Sequence, residues 1–384
     1  MNRGIATFTL DYGVCPPWLF QRMVKLGRSM IEVMIDEFGP DEFVKRIGQP
    51  AWFQSLGTVL AFDWNASGLT TILTAALKEA IRGQERDLGV FICGGKGKTS
   101  KKTPEEIKNW SGNIDFSEKA TRQLVFSSKM AAKVDSSLIQ DGFQIYHHSF
   151  FFSKNGAWTV VQQGMNIQNQ TARRYHWSSS LKENFDFVDK PHLGIVSQIR
   201  KKSVLDLTAK ISNKNRELSL NLVDGGFKSV MKNFKVLDYY QTPLSQSLRL
   251  QFRGENLDLL NLERKEFQHH PVEKENFFEN RYLRKIINQV CEVQPKTYQE
   301  LVSLPGVGPK TVRALSLVGE VIYGAKPSYQ DPARFSFAFG GKDATPYPVD
   351  CPTYDQAIQI MKQLVAKAKI NPVEKDKILF KIGK

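Results

Sequence analysis

The chain has 384 residues, a length that fits two or three domains of about 100–200 residues each. Hydrophobic residues make up 41% and charged residues 24%, which excludes a largely disordered or collagen-like protein. Lysine and arginine exceed aspartate and glutamate by 53 − 39 = 14, so a polyanion such as nucleic acid is an expected partner.

The four cysteines are far apart and show no spacing typical of a zinc or iron–sulfur site. We therefore expect reduced thiols. No apolar run approaches the roughly 18 residues of a membrane span, and the first ten residues do not resemble a signal peptide. These features predict a cytoplasmic, nucleoid-associated protein without a membrane partner.

The first part of the chain has a helical pattern. Apolar residues recur at helical spacing from Pro16 to about Arg82, with a helix end predicted at Gly39-Pro40. Residues 87–93 predict a strand, and the following GGKGKTSKKTP predicts a loop. This run is not a Walker loop, because that motif needs glycine five positions before Gly97 and Ile92 stands there.

A sheet signal begins at residue 142. FQIYHHSFFF, a turn around Asn155-Gly156 and AWTVVQQGM predict a β-hairpin with a primed turn. From residue 281 onward helical patterns dominate, and residues 354–369 are predicted to carry an apolar stripe of Ile358, Met361, Leu364 and Val365. The fold class is thus predicted as α+β, with a mixed candidate catalytic domain at 1–225, a helical connector at 226–296 and a helical DNA-binding domain at 297–384.

The strongest local motif is LPGVGPKT, residues 304–311. Thr297 and Glu300 form a capping box that begins a helix before it, and helical spacing resumes after it. This pattern predicts a helix-hairpin-helix, in which bare backbone amides and a helix N-terminus approach the phosphates of DNA without reading its sequence. The predicted DNA-binding residues of this motif are Gly306, Val307, Gly308, Lys310 and Thr311.

Two further segments are predicted to add DNA contacts, because one hairpin touches few phosphates. The first is the basic run that contains Lys96 and Lys98; a solvated loop is the alternative. The second is RRYHW, in which Arg173 and Arg174 stand beside aromatic residues suited to stacking on unpaired bases. A core tryptophan with a salt-bridged surface is the alternative for that segment.

Reactive groups are concentrated in residues 129–166. We expect Asp135 and Asp141 to bind Mg²⁺ or Mn²⁺, with Lys133 facing the scissile phosphate. Cap and turn roles are the alternative for both aspartates. On an alternating strand His148 lies on the polar face with Tyr146, so His148 is predicted as the functional histidine and His147 as a core residue.

A second chemistry involves the hairpin itself. In glycosylases with an LPGVG-x-K-T hairpin, a lysine placed as Lys310 attacks the sugar and a later aspartate assists. Asp331 lies 331 − 310 = 21 residues beyond Lys310, which is similar. Such chemistry needs a neutral, desolvated amine, and a simple phosphate contact is the alternative for Lys310.

The motifs VCPPWLF, WFQSLGTVLAFDW, GGKGKTSKKTP, QIYHHSFFF, ARRYHW, LPGVGPKT, FAFGGKD and PYPVD together resemble a prokaryotic family called domain of unknown function seven hundred and sixty-three. The resemblance spans residues 1 to about 360. It implies a prokaryotic, DNA-linked protein and assigns no catalytic residues.

The sequence therefore predicts a DNA-processing or repair enzyme, a metal-dependent endonuclease that acts on damaged or distorted DNA. A glycosylase or lyase that uses Lys310 and Asp331 is one alternative. A DNA-binding accessory protein without chemistry is another. RNA is also compatible as a partner, because a phosphate-binding hairpin does not sense the 2′-hydroxyl.

Overall fold

The computed structural model describes residues 8–10, 13–61, 65–179, 185–240, 249–252, 255–258, 276–335, 351–368 and 371–383. The motifs FAFGGKD and PYPVD lie outside these residues.

The N-terminal part folds into helices, as the sequence predicts. The first four are α1 (Pro17–Gly48), α2 (Pro50–Ala61), α3 (Ala66–Ala80) and α4 (Glu85–Leu88). In α1 the backbone leaves the helical conformation at Gly39, with φ 81° and ψ 165°, and Pro40 follows at once. The predicted helix end is thus a kink, beyond which the chain is helical again.

Ten strands are present in the described residues. They are β1 (Val90–Lys96), β2 (Ile139–Gln140), β3 (Gln144–Ser153), β4 (Trp158–Asn166), β5 (Thr171–Ser178), β6 (Gly194–Ser197), β7 (Leu205–Asp206), β8 (Arg249–Phe252), β9 (Glu255–Asp258) and β10 (Arg334–Phe335). The main sheet has the order β1-β3-β4-β5-β6-β10. Its first five strands pair antiparallel, and β10 pairs parallel with β6.

The main sheet is covered on both faces. Helices α5 (Thr103–Asn113) and α6 (Glu118–Ser137) pack on one face, with Phe150 and Phe152 in their core. Helices α1 to α3 pack on the other face, where Phe151 is buried. Because both faces are buried, the strands contain continuous apolar runs in place of simple alternation.

Two local predictions in this region are wrong. The strand β1 continues through Gly94 and Gly95, which pair with Ser149 and His148 on β3, and a 3₁₀ turn at Gly97–Lys102 replaces the predicted loop. In the β3–β4 connection Gly156 has φ 90° and its amide donates to the Ser153 carbonyl, but Asn155 has no positive φ. The hairpin exists, whereas its turn is not the primed type that was expected.

The helices after the sheet extend its core. They are α7 (Asn213–Asp224), α8 (Phe227–Tyr240), α9 (Arg281–Val293), α10 (Tyr298–Ser303) and α11 (Pro309–Val321). Leu301, Val307 and Leu315 belong to the same apolar core as Phe150 and Val134 on α6. The helical part is therefore packed directly on α6 and, through it, on the sheet.

The last two helices are α12 (Cys351–Lys367) and α13 (Pro372–Gly383). The predicted apolar stripe of α12 is buried at Met361, Leu364 and Val365 against the α1 to α3 core, and Lys367 Nζ lies 2.5 Å from a carboxylate oxygen of Glu37 on α1. The α+β class is confirmed. The predicted boundaries after residues 225 and 296 stay predictions, and packing contacts cross both of them.

Candidate nucleic-acid interface

The capping of α10 fixes where the predicted hairpin begins. The Thr297 hydroxyl accepts from the Glu300 amide at 3.1 Å, as expected. The Glu300 carboxylate returns to the amide of Lys296 at 2.7 Å, one residue before the predicted donor. The two side chains thereby satisfy the amides of Glu300 and Lys296.

The turn between α10 and α11 comprises residues 304–308. Gly306 has φ 82°, and a Cβ there would lie 2.3 Å from Ile286 Cδ1, so only glycine fits. Gly308 is the N-cap of α11, with an extended backbone, and the nearest contact of a Cβ added there would be the Gly306 carbonyl oxygen at 4.0 Å. Val307 is 2% exposed and anchors the turn in the core, while Pro305 and Gly306 are exposed.

Three side-chain contacts hold this turn against the sheet domain. Lys133 Nζ on α6 donates to the Leu304 carbonyl at 3.0 Å. Gln140 Nε2 donates to the Pro309 carbonyl at 2.9 Å, and Arg313 donates to Gln140 Oε1 at 2.8 Å. Burial lowers the pKa of Lys133. Lys133 thus positions the turn, and its predicted contact with a scissile phosphate is not what the structure shows.

A cleft of about 650 Å³ adjoins the turn. Pro309 and Arg313 border it on the α11 side, and the ends of β3 and β4 border it on the other. Its polar and charged lining includes Gln140, Asp141, Gln144, Asn166, Gln168, Lys201 and Arg313. Of the described lining residues only Asp141 is acidic, and its charge is matched inside the protein. The cleft therefore presents amide and cationic groups beside the N-terminus of α11.

Asp141 belongs to a buried ion-pair network. Arg173 Nη1 donates to Asp141 Oδ2 at 2.9 Å, and the two Arg173 Nη groups donate to the Asp331 carboxylate at 3.0 and 2.8 Å. Tyr175 donates to Asp141 Oδ2 at 2.6 Å. Burial opposes the charge of Arg173, but Asp141, Tyr175 and Asp331 raise its pKa above the ordinary value. Arg173 is fully buried, so its predicted contact with DNA is wrong.

Arg174 is buried on the opposite face of the sheet. Its guanidinium donates to Thr70, Gln54 and His176 and lies 4.7 Å from the Phe53 ring centroid. Burial lowers the pKa of Arg174 to about 9. The guanidinium of Arg174 thus lies beside a phenylalanine inside the protein, and its predicted contact with DNA is wrong.

Asp135 lies in a second buried network. Trp177 Nε1 donates to Asp135 Oδ2 at 2.9 Å, and Gln162 Nε2 donates to the same oxygen. His192 Nε2 contacts Asp135 Oδ1. His148 closes the network, with Nδ1 2.8 Å from Gln162 Oε1 and Nε2 2.9 Å from Ser128 Oγ. Burial lowers the pKa of His148, so a neutral, fully bonded imidazole fits a structural role.

These networks do not suit Mg²⁺ or Mn²⁺. Hard cations need several oxygen ligands, yet both carboxylate oxygens of Asp135 accept protein donors, as do both oxygens of Asp141. Within the described ranges no three His, Cys, Asp or Glu side chains are placed to share a metal. Asp331 is likewise bonded to Arg173 and to the amides of Lys201 and Ala333, away from the role predicted for it with Lys310.

The predicted residues Lys310 and Thr311 lie in the first turn of α11. Lys310 is half-buried and Thr311 is buried. Lys96 and Lys98 are exposed at the end of β1 and in the 3₁₀ turn. The sequence did not predict three of the cleft residues, Lys201, Arg313 and Gln140. Each is an isolated polar residue in the sequence, and only tertiary packing brings it to the cleft.

His147 borders a second cavity, of about 720 Å³, between α1, α3 and β1. A register shift between Ile145 and His147 breaks the alternation of β3. Tyr146 consequently bonds to Gln163, whose amide reaches Ser67 on α3, while His148 bonds toward α6. The prediction that Tyr146 and His148 share a face is therefore wrong, and His147 is the histidine that borders a cavity.

The family of this chain follows from comparison with known protein families. Residues 4–349 match the model of a family described as "Protein of unknown function (DUF763)". The chain belongs to this family. No curated protein and no solved structure matches this DUF763 member. In its described residues no helix is long and apolar enough to cross a membrane.

Proposed function

We propose that this DUF763 protein binds DNA without sequence specificity, through the 304–308 turn and the cleft beside it. The turn would act as a helix-hairpin-helix, with the N-terminus of α11 directed at a backbone phosphate. The observation that carries the proposal is the exposed glycine backbone at Gly306, next to a cleft that Lys201 and Arg313 line. Backbone amides and cations contact phosphates and read no bases.

Three features of the protein surface support this mode of DNA binding. The N-terminus of a 13-residue helix carries partial positive charge. The cleft continues from it toward Gln144 and Asn166, whose amides can donate to phosphate or sugar oxygens. The net charge of +14 favours a polyanion overall. Together they suit a DNA-processing or repair role in which the backbone is held and its sequence is ignored.

The proposal does not include the metal-dependent cleavage at Asp135 and Asp141 or the lyase step at Lys310 and Asp331. All three aspartates are held by donors of the protein itself. The proposed role is to hold the DNA backbone, alone or for a second protein.

The proposal is tested by fluorescence anisotropy with two labelled duplexes of unrelated sequence, titrated at several salt concentrations in EDTA. We expect equal affinities for the two duplexes and a linear fall of log affinity with log salt. Absence of binding at low salt, or a strong preference for one sequence, would overturn it. A parallel incubation with Mg²⁺ or Mn²⁺ and gel analysis reports any strand cleavage.

A further inference from the structure

The cavity beside His147 lies on the opposite face of the sheet from the 304–308 turn. Its volume of about 720 Å³ falls within the usual size of small-molecule sites. One wall is apolar, formed by Leu19, Phe20, Met23 and Ile72. The polar lining includes His147, Ser149, Lys96 and Thr99. Such mixed lining suits a ligand with an apolar part and a polar part.

His147 lines this cavity, and one of its ring nitrogens makes no hydrogen bond to the described residues. The residue is 1% exposed, and its Nδ1 has no partner among the described residues. Its Nε2 lies 3.1 Å from both Thr74 Oγ1 and Ser149 Oγ. An unpartnered buried polar atom is costly, so a bound ligand group that bonds to Nδ1 would remove that cost.

Two hydroxyls meet the imidazole of His147 at one atom, Nε2. Thr74 Oγ1 and Ser149 Oγ each lie 3.1 Å from it, so the protein already engages this nitrogen in either tautomer. Nδ1 is the ring nitrogen left for a ligand. A nucleotide base carries both N–H donors and ring-nitrogen acceptors and can therefore bond to Nδ1 in either tautomer.

The mouth of the cavity is cationic. Lys78 is paired with Glu106 and Arg82 with Glu79, whereas Lys96 meets no carboxylate in the described part of the chain and lies 6.0 Å from the Tyr146 ring centroid. Lys98, Lys101 and Lys102 follow in the exposed 3₁₀ turn, and residues 94–104 contain no acidic side chain. This charge favours an anionic group such as phosphate.

We infer that this cavity binds a nucleotide, with the base against the apolar wall and hydrogen-bonded to His147 Nδ1, and with the phosphate beside Lys96. The nucleotide has one of two sources, a free mononucleotide or one unit of a single strand. The inference goes beyond the proposed DNA grip and does not depend on it, because the two sites use different residues on opposite faces of the sheet.

The test is isothermal titration calorimetry of the full chain with nucleoside 5′-monophosphates, with the unphosphorylated nucleosides and with inorganic phosphate. A single-stranded oligonucleotide forms a further arm. We expect at least one monophosphate or the oligonucleotide to bind, and the nucleoside or phosphate alone to bind about tenfold more weakly or not at all. Lack of binding in both the monophosphate and the oligonucleotide arms would overturn the inference.

Two variants tie binding to the cavity. Ala75 is an exposed cavity-lining residue on α3, so Ala75→Trp fills the space without disturbing the core. Lys96→Glu reverses the charge of the lining cation that meets no carboxylate among the described residues. Each should weaken binding about tenfold or more. The controls Asn109→Trp and Lys108→Glu on the exposed side of α5 do not touch the cavity and should leave binding unchanged. Equal loss in variants and controls would contradict the site.

The source of the nucleotide follows from the same variants. If Ala75→Trp lowers affinity for monophosphates only, the ligand is free; if it also lowers affinity for the oligonucleotide, a strand supplies the nucleotide. Both results support the inference. Ala75→Trp should leave duplex binding through the 304–308 turn unchanged. If the natural protein binds a nucleotide but no duplex, the proposed function fails and the nucleotide site stands.

Discussion

The imidazoles of His147 and His148 lie on opposite faces of the sheet, as expected for adjacent residues of one strand. His148 uses both ring nitrogens, toward Ser128 and Gln162 on the α6 side. His147 uses only Nε2, on the α3 side, and borders a cavity with Nδ1 unbonded within the described residues. One histidine therefore completes a structural network, and the other borders a cavity with a ring nitrogen that has no partner in the described part of the chain.

The stability of the protein should decrease in acid because His147 is held neutral. Burial, with His148 and Lys96 nearby, lowers the pKa of His147 to about 3, against roughly 6.5 in the unfolded chain. Between these values the unfolded state binds the extra proton, so the free energy of unfolding falls as pH falls below about 6.5 and is unaffected above it. We expect His147→Gln to reduce this slope by at most about 1.4 kcal/mol per pH unit, measured by urea unfolding across that range. An unchanged slope would contradict a neutral His147.

Arg173 should matter for stability and not for DNA. Arg173→Gln leaves Asp141 and Asp331 without their buried counter-charge, a loss of about 3–5 kcal/mol for a broken buried pair. The exposed pair of Arg122 and Glu118 gives the control, because Arg122→Gln should change the unfolding free energy very little. Urea unfolding measures both, and anisotropy measures duplex binding of the folded variant. If Arg173→Gln lowers the affinity for duplex DNA and leaves the unfolding free energy unchanged, Arg173 contacts DNA and this prediction is wrong.

Asp135 should behave as a structural carboxylate whether or not a metal is present. Asp135→Asn replaces an acceptor oxygen with an N–H₂ that faces the donors of Trp177, Gln162 or His192, so we expect a loss of about 1–3 kcal/mol in unfolding free energy. The loss should be the same in EDTA and in Mn²⁺. If Mn²⁺ stabilises the natural protein and this stabilisation disappears in Asp135→Asn, the carboxylate is a metal ligand after all.

Lys201 should contribute one phosphate contact to the cleft. Lys201→Gln is expected to reduce the slope of log affinity against log salt by about 0.9, the value for one neutralised phosphate. Lys25, exposed on α1 across the sheet, provides the matched control, and Lys25→Gln should leave the slope unchanged. Equal slopes for Lys201→Gln and the natural protein would exclude the cleft from the DNA path.

The sequence predicted those parts of the molecule that local pattern controls. Spacing and composition predict four features that the structure contains. They are the helices of the first 80 residues, the β3–β4 hairpin, the cap at Thr297 and the apolar face of α12. The α+β class follows from the same elements.

Burial of charged groups could not be predicted in the same way. Arg173 and Arg174 are adjacent cations in a polar string, and only the pairing of β5 within a sheet covered on both faces places them inside. The counter-charges of Arg173 come from positions 141 and 331, too distant in sequence for any local pattern. The register shift in β3 is equally invisible in the sequence, and it decides which side chains around His147 share a face.

The central claim, that the 304–308 turn approaches a DNA phosphate, is tested most directly by comparing Gly308→Asp with Gly308→Asn in duplex binding. Gly308 is the N-cap of α11 and has space for a side chain, and both Asp and Asn are favoured caps. The two variants should therefore fold equally well and differ only in charge. We predict that Gly308→Asp weakens duplex binding at low salt about tenfold more than Gly308→Asn does. Equal affinities for the two folded variants would contradict the claim.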